Sequence, residues 1–357
     1  MHYGFTDDEL DLARSLASVL SAVVPPHQGE DPDSGGTGVD DRLWSELTRG
    51  GWLAAFQLKD QSVSRPAMVA LGEVLGRAGV RIPWVNTFGL VLPLIEKLPS
   101  EVAKDLLAAL GDGAIVTSPA GGFNQEELVV SALKGGESRI TGVIPFVPYA
   151  RDAQSILALA SGEDGSPLLV TIDTRANGVE LRDVHSADLL NDYADVILDE
   201  APTLVVSADY ELLRDEIHNA ELQYSLFLSA EAIGGLDGLL TRAIDYVCQR
   251  HQFGVPIGSF QSVKHMLANV STSVHSGQAI TYLAASAMES GLGMGPADVE
   301  CARIYTANNY LHGSEVIIQA HGGFGFTWES GLHIWYRNAM ANYHLPNRMR
   351  SLASLER

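Results

Sequence analysis

The stretch Arg250-His251-Gln252-Phe253-Gly254-Val255-Pro256-Ile257-Gly258-Ser259-Phe260-Gln261 joins an arginine, an aromatic ring and glycines where one long helical pattern ends. A second helical pattern follows at once. These residue types at this spacing suit a planar, phosphate-bearing cofactor. A guanidinium gives charge-assisted hydrogen bonds to phosphate oxygens, and glycine lets the backbone come close to a ligand. Taken alone, Arg250 reads as an ordinary cation at a helix C-terminus. Other arrangements fail on spacing. His321, His333 and His344 do not give the paired-histidine helix pattern of a metal site, so no metal is expected. Ser118 and Ser259 lack the Gly-x-Ser-x-Gly setting of a nucleophile elbow. Gly35-Gly36-Thr37-Gly38 is not followed by the Gly-Lys-Ser/Thr of a phosphate loop.

The chain around these residues has 357 positions, enough for two or three packed units. Hydrophobic residues make up 46%, with no apolar run of membrane length, so a soluble globular protein is expected. The start, Met1-His2-Tyr3-Gly4-Phe5, lacks the basic and apolar regions of a secretory signal. Cys248 and Cys301 make neither a disulfide framework nor a metal site. A cytoplasmic location is expected. The formal net charge of −21 argues against nucleic acid or an anionic membrane as partner. It also means that a polyanionic ligand would need a local basic pocket.

Apolar residues Leu10, Leu12, Ala13, Leu16 and Leu20 repeat with helical period over 6–24. Residues 25–38 are turn formers. Helical patterns resume at 40–50, 65–79, 84–97 and 100–110, with Pro83 and Pro93 at boundaries or kinks. Short apolar segments at 114–117, 128–133, 156–160 and 167–172 then predict a small β unit, a barrel or a sandwich. From Glu211 one helical run extends to Arg250. Gly234, Gly235 and Gly238 inside it predict close approach by another helix or a ligand. Further helices fit 257–291, 296–320 and 327–342. The expected fold is α+β and multidomain: an all-α domain over 1–112, a middle β domain over 113–206, and a helical domain over 207–357.

This order and length resemble the acyl-CoA dehydrogenase family. Four stretches carry the resemblance: Arg250–Gly254 with Pro256–His265; Gln319-Ala320-His321-Gly322-Gly323-Phe324-Gly325-Phe326-Thr327; Glu329 with Leu332, His333 and Arg337-Asn338-Ala339; and, more weakly, Ile140-Thr141-Gly142 with Phe146-Val147-Pro148 and Ala150-Arg151-Asp152-Ala153. It covers nearly the whole chain and is strongest over 230–340. It implies a C-terminal four-helix bundle and FAD bound at a subunit interface. In that family one subunit holds the isoalloxazine ring through its β domain. Its neighbour reaches across with arginine, phenylalanine and a Gln-x-x-Gly-Gly segment. By resemblance, Arg250, Phe253, Gln319, Gly322 and Gly323 take those roles here. The chemistry agrees: a permanent cation for the diphosphate, an amide that both donates and accepts, and glycines for backbone contact.

The family removes an α-proton from a CoA thioester with a carboxylate while hydride passes to the flavin. Both usual positions for that base are empty here. One holds Pro346 and the other Tyr224, whose phenol stays protonated near neutrality. Glu221 and Glu231 share roughly the Tyr224 face of the helix and could substitute; each reads equally as a solvated or helix-paired carboxylate. The family's flavin-contacting Thr-Glu-Pro-Gly stretch reads Thr117-Ser118-Pro119-Ala120-Gly121-Gly122, and Pro148 stands where a Trp-Ile-Thr element ends in a hydroxyl. What the chain would donate to a neighbour is intact, and what its own site needs is eroded. That pattern resembles the non-catalytic β-type subunit of actinobacterial α2β2 enzymes, which also carry a stretch like Gly325-Phe326-Thr327-Trp328-Glu329 and act on bulky CoA thioesters, steroid side-chain intermediates among them. A paralogous α-type partner is then implied. Two other readings stay open: a self-sufficient homo-oligomeric dehydrogenase with a displaced base, and a non-redox protein on this fold.

Overall fold

The computed structural model describes residues 4–24, 38–56, 63–120, 128–132, 138–291 and 295–344. The turn-former loop at 25–37, the Gly121-Gly122 pair and Pro346 lie outside the described residues.

Helix α1 (Asp7–Val23) starts on a capping box, Thr6 accepting from the Glu9 N–H while the Glu9 carboxylate accepts from the Thr6 N–H. Helices α2 (Asp41–Arg49), α3 (Trp52–Ala55), α4 (Arg65–Ala78), α5 (Trp84–Asn86), α6 (Leu92–Ile95) and α7 (Glu101–Gly111) follow. Between α5 and α6, Thr87–Val91 winds as a π turn, with the Leu92 N–H on the Thr87 carbonyl. Pro93 follows directly. Its ring conflicts with an ordinary α turn in front of it, and a wider turn relieves that conflict.

Among the described residues, seven strands come next: β1 (Val116–Thr117), β2 (Val129–Ala132), β3 (Ser138–Pro148), β4 (Ser155–Gly162), β5 (Pro167–Asp173), β6 (Val179–Val184) and β7 (Tyr193–Ser207). Strand β4 pairs with β2 in parallel and with β5 antiparallel. The pairings β2–β3, β3–β7 and β7–β5 complete a ring. This unit is therefore a closed five-strand barrel rather than a sandwich, with β6 added along β7 and β1 along β4. Ile140, Ile144, Ile156, Val170 and Val196 fill it.

Helix α8 (Tyr210–Gln249) is 40 residues long. A two-strand hairpin, β8 (His251–Gln252) with β9 (Val255–Pro256), separates it from α9 (Gln261–Ser290). The helix expected to start at residue 257 thus starts at Gln261, after a single 3-10 turn over Ile257–Ser259. Helices α10 (Pro296–His321) and α11 (Leu332–His344) complete the bundle, whose core holds Ile233, Leu236, Tyr310 and Trp335. Helix α4 packs on α8 at glycines. A Cβ on Gly234 would stand 2.1 Å from the Glu73 carbonyl oxygen, and one on Gly76 would stand 2.2 Å from that of Glu231. No described helix is long and apolar enough to cross a membrane.

Candidate functional site

The residues singled out in the sequence fall into two groups. At ~1.5 Å rise per residue, the stretch of α8 from Tyr224 to Arg250 separates them by about 40 Å.

The outer group lies at the far end of the bundle. Arg250 caps α8 in extended conformation, and its carbonyl accepts from the Ile257 N–H at 2.8 Å, closing the hairpin. The two turn residues have φ of 55° (Phe253) and 82° (Gly254). Two successive positive φ values define the turn that matches strand twist. Glycine takes this conformation freely; phenylalanine does so at a cost of order 1 kcal/mol. The turn throws the Phe253 ring outward, leaving it 92% exposed.

The second motif meets the end of α8 at Tyr246. Tyr246, one turn before Arg250, stacks on His321 with ring centroids 4.3 Å apart, and its hydroxyl donates to the His321 carbonyl at 3.3 Å. The Phe324 ring stacks on Tyr246 as well, at 5.6 Å. His321 closes α10, and Gly322 follows with φ 59° and ψ −141°, a region open only to glycine. Nothing lies within 4 Å of where a Cβ on Gly322 or Gly323 would stand. Arg250, Phe253, Gln319, Gly322 and Gly323 are thus all exposed at one end of the molecule. A guanidinium, open backbone and an outward aromatic ring suit a phosphate-bearing planar molecule.

The inner group surrounds a cavity of ≈ 30 Å³ between the barrel and the bundle, about the volume of one water molecule. Tyr224, Glu231, Asp188, Tyr193, Asn338 and Asn342 are among its walls, with Pro148 and Ala120 on the barrel side. Polar groups there bind one another. Asp188, on the loop between β6 and β7, accepts from the Leu190 N–H at 3.0 Å, the Asn191 amide at 2.8 Å and the Asn338 amide of α11 at 3.4 Å. Tyr310 of α10 donates to the Asn338 Oδ1 at 3.2 Å. On the barrel side, Asn86 Oδ1 accepts from the Thr117 hydroxyl and from the Ser118 N–H, both at 2.9 Å. The buried Thr117 hydroxyl also lies 2.7 Å from the Pro148 carbonyl oxygen. Phe146 and Tyr149, on either side of Val147-Pro148, have φ of 55° and 52°.

Burial pushes the Tyr224 phenol further up, so it does not act as a base near neutrality. Glu231 lines the cavity and is half-buried. Burial, with the Asp188 carboxyl nearby, pushes its carboxyl up to about 7. Glu221 is not among the cavity walls. It is half-buried and has no ion pair among the described residues, and burial alone pushes its carboxyl up to about 7. Sequence reasoning missed Asp188 and Arg303. Arg303 is 6% exposed; its Nη2 donates to the Asn342 carbonyl, while Nε and Nη1 have no partner. Burial lowers its guanidinium to about 10, against the pull of Tyr224 and Glu231. A usable signal existed for Arg303: it occupies the buried stripe Val299, Ala302, Thr306, Tyr310 of α10. Asp188, in an irregular loop, carried none.

An α-helical layer, a closed barrel and a helical bundle joined at a polar cavity define an acyl-CoA dehydrogenase-like fold. Residues 224–345 match the family model described as acyl-CoA dehydrogenase, C-terminal domain. The C-terminal part of the chain thus carries the acyl-CoA dehydrogenase C-terminal domain. Among curated relatives, acyl-CoA dehydrogenase FadE34 of Mycobacterium tuberculosis is 26% identical over 84% of this chain and 44% of its own length. FadE28 of the same organism is 29% identical over 64% and 66%, and IpdE2 is 31% identical over 34% and 36%. The chain thus spans about a third to two thirds of the length of the curated relatives it matches. Among solved structures, the ChsE4-ChsE5 complex from Mycobacterium tuberculosis superposes with a TM-score of 0.82 at 21% identity, covering 99% of this chain and 98% of that one. Butyryl-CoA dehydrogenase from Megasphaera elsdenii gives 0.86 at 17% identity over the full length of both. These likenesses show the fold.

Proposed function

We propose that this chain is a subunit of an FAD-dependent acyl-CoA dehydrogenase that lends its outer end to a flavin site and leaves the base to a paralogous partner chain. The observation that carries the reading is the asymmetry between the two groups. Phe253 is held outward in a strained turn beside Arg250 and the open Gly322-Gly323 backbone. The chain's own chamber measures ≈ 30 Å³, and much of its polar wall, Asp188 with Asn191 and Asn338, is bonded internally. That chamber does not fit an isoalloxazine ring, whereas the outer residues fit a diphosphate and its adenosine. A single dinucleotide does not span the distance between the two, so the outer residues serve another chain's site.

In this role Arg250 binds the diphosphate, Gln319 and the Gly322-Gly323 backbone hold the adenosine half, and Phe253 covers it. Bound flavin supplies the hydride acceptor for α,β-dehydrogenation of a CoA thioester. The base comes from the partner, because Tyr224 keeps its proton. The ChsE4-ChsE5 complex, a pairing of two named chains on this fold, supports a heteromeric arrangement. The test is a visible spectrum of the purified chain alone and after co-expression with its partner. The chain alone should be flavin-poor and the pair yellow and active. Full flavin occupancy and turnover of a CoA thioester by this chain alone refute the proposal.

One observation favours a second reading, self-sufficient catalysis with a displaced base. Glu231, not Glu221, is the glutamate that lines the chamber with Tyr224. If the chain alone reduces flavin with substrate, Glu231→Gln should abolish that step and Glu221→Gln should not.

A further inference from the structure

A second cavity, of ≈ 460 Å³, lies between α1, α4 and α9, apart from both groups described above. Its walls are largely apolar, with Phe5, Leu10, Ala70, Val74, Ala279 and Tyr282 among them. The Phe5 and Tyr282 rings meet edge to face, with centroids 4.9 Å apart. Among the described residues, one acidic side chain lines this apolar space. Glu73 of α4 is 6% exposed; its Oε2 accepts from the Gln278 amide of α9 at 2.9 Å, and its Oε1 has no hydrogen-bond partner. Among the described residues, the charged groups beside it have other partners. Arg77, one turn on, is ion-paired with Asp237 of α8, and the His275 Nδ1 lies 2.7 Å from the Ser271 carbonyl.

We infer that this cavity binds a small organic amine, its ammonium at the unpartnered Glu73 carboxyl oxygen and its apolar body against the Phe5 and Tyr282 rings. Concave, mainly apolar sites of this volume with a few placed polar groups are the usual form of small-molecule pockets. A buried acceptor without a donor costs free energy that a donor restores. An ammonium supplies both the donor and the countercharge, and it is attracted to the faces of aromatic rings. The overall charge of −21 draws cations toward the surface and repels carboxylates and phosphates. Burial holds the Glu73 carboxyl up to about 7, with the Gln278 amide and Arg77 opposing and Asp237 adding to the rise. An ammonium arriving there therefore displaces a proton below that pH.

The test is calorimetric titration of the full chain with phenethylamine, and with phenethyl alcohol as the neutral isostere. The amine should bind at least roughly ten-fold more tightly than the alcohol. It should release a proton from the protein at pH about 6 and none at pH about 8.5. Glu73→Gln should bring the amine down to the affinity of the alcohol. Ala279→Trp, at an exposed wall position, should weaken both ligands roughly ten-fold while leaving Glu73 in place. Equal binding of amine and alcohol, no binding of either, or an amine preference that survives Glu73→Gln overturns the inference. If Glu73→Gln does not fold, the amine-to-alcohol ratio and the Ala279→Trp variant decide it.

Discussion

Glu231→Gln isolates what an ionised carboxyl costs inside the chamber. Burial raises this carboxyl from 4.5 to about 7. Between those values the folded chain holds the proton more tightly than the unfolded chain, so stability falls as pH rises from 4.5 through 7. Below 4.5 both states are protonated and the penalty is absent. Above 7 both are ionised and the penalty is complete. At ~1.4 kcal/mol per pH unit, a rise of this size is worth about 3 kcal/mol on the alkaline side. Glutamine keeps the size and an acceptor oxygen but does not ionise. The variant should therefore gain up to about 3 kcal/mol over the parent at pH about 8.5 and almost nothing at pH about 4.5. Urea unfolding followed by tryptophan fluorescence at the two pH values measures both gaps. Glu73 and Glu221, also raised to about 7, give the parent a slope of the same sign. The difference between variant and parent cancels their contribution. A gap that is equal at both pH values refutes the argument.

The other expectations are simpler to read out. Gly234→Ala places a methyl group 2.1 Å from the Glu73 carbonyl oxygen, so α4 and α8 must part; a loss of about 3 kcal/mol should appear as a lower thermal midpoint. Phe253→Gly removes a side chain from a positive-φ position. It should raise stability by up to about 1 kcal/mol while lowering the flavin content of the assembled pair, two effects that separate in calorimetry and absorbance. Asp188→Ala strips the acceptor from the Leu190 N–H and the Asn338 amide. It should cost about 2–3 kcal/mol in chemical denaturation.

The helices were legible in the sequence because their signals are local. The Thr6–Glu9 capping box marks the start of α1, and the glycines of α8 stand where close approach was expected. Barrel closure was not legible, because it rests on pairings between distant residues such as Val129 with Ser161 and Leu169 with Ser207. The hairpin after Arg250 was hidden for a different reason. Its strands are two residues each, too short for alternation to show, and Ile257 and Val263 read as the first turns of a helix. The outer motif residues do share one end of the bundle. For the inner group, the Tyr224 position was readable, but the consequences of burial were not. Whether Glu231 faces the chamber and Glu221 does not depends on which helices pack against α8, and no single-helix pattern contains that.

Helix α8 also acts as a spacer. At ~1.5 Å per residue its 40 residues make a rod of about 60 Å. The rod sets how far a chain's chamber stands from the surface it offers to others. Inserting one residue between Glu231 and Arg250 would turn the hairpin by about 100° and misdirect Phe253, so length changes there are barred. Substitutions are not. Sites this far apart without shared partners vary independently, so one end of the rod can lose its chemistry while the other keeps its contacts. Combined changes at Glu231 and Arg250 should therefore add.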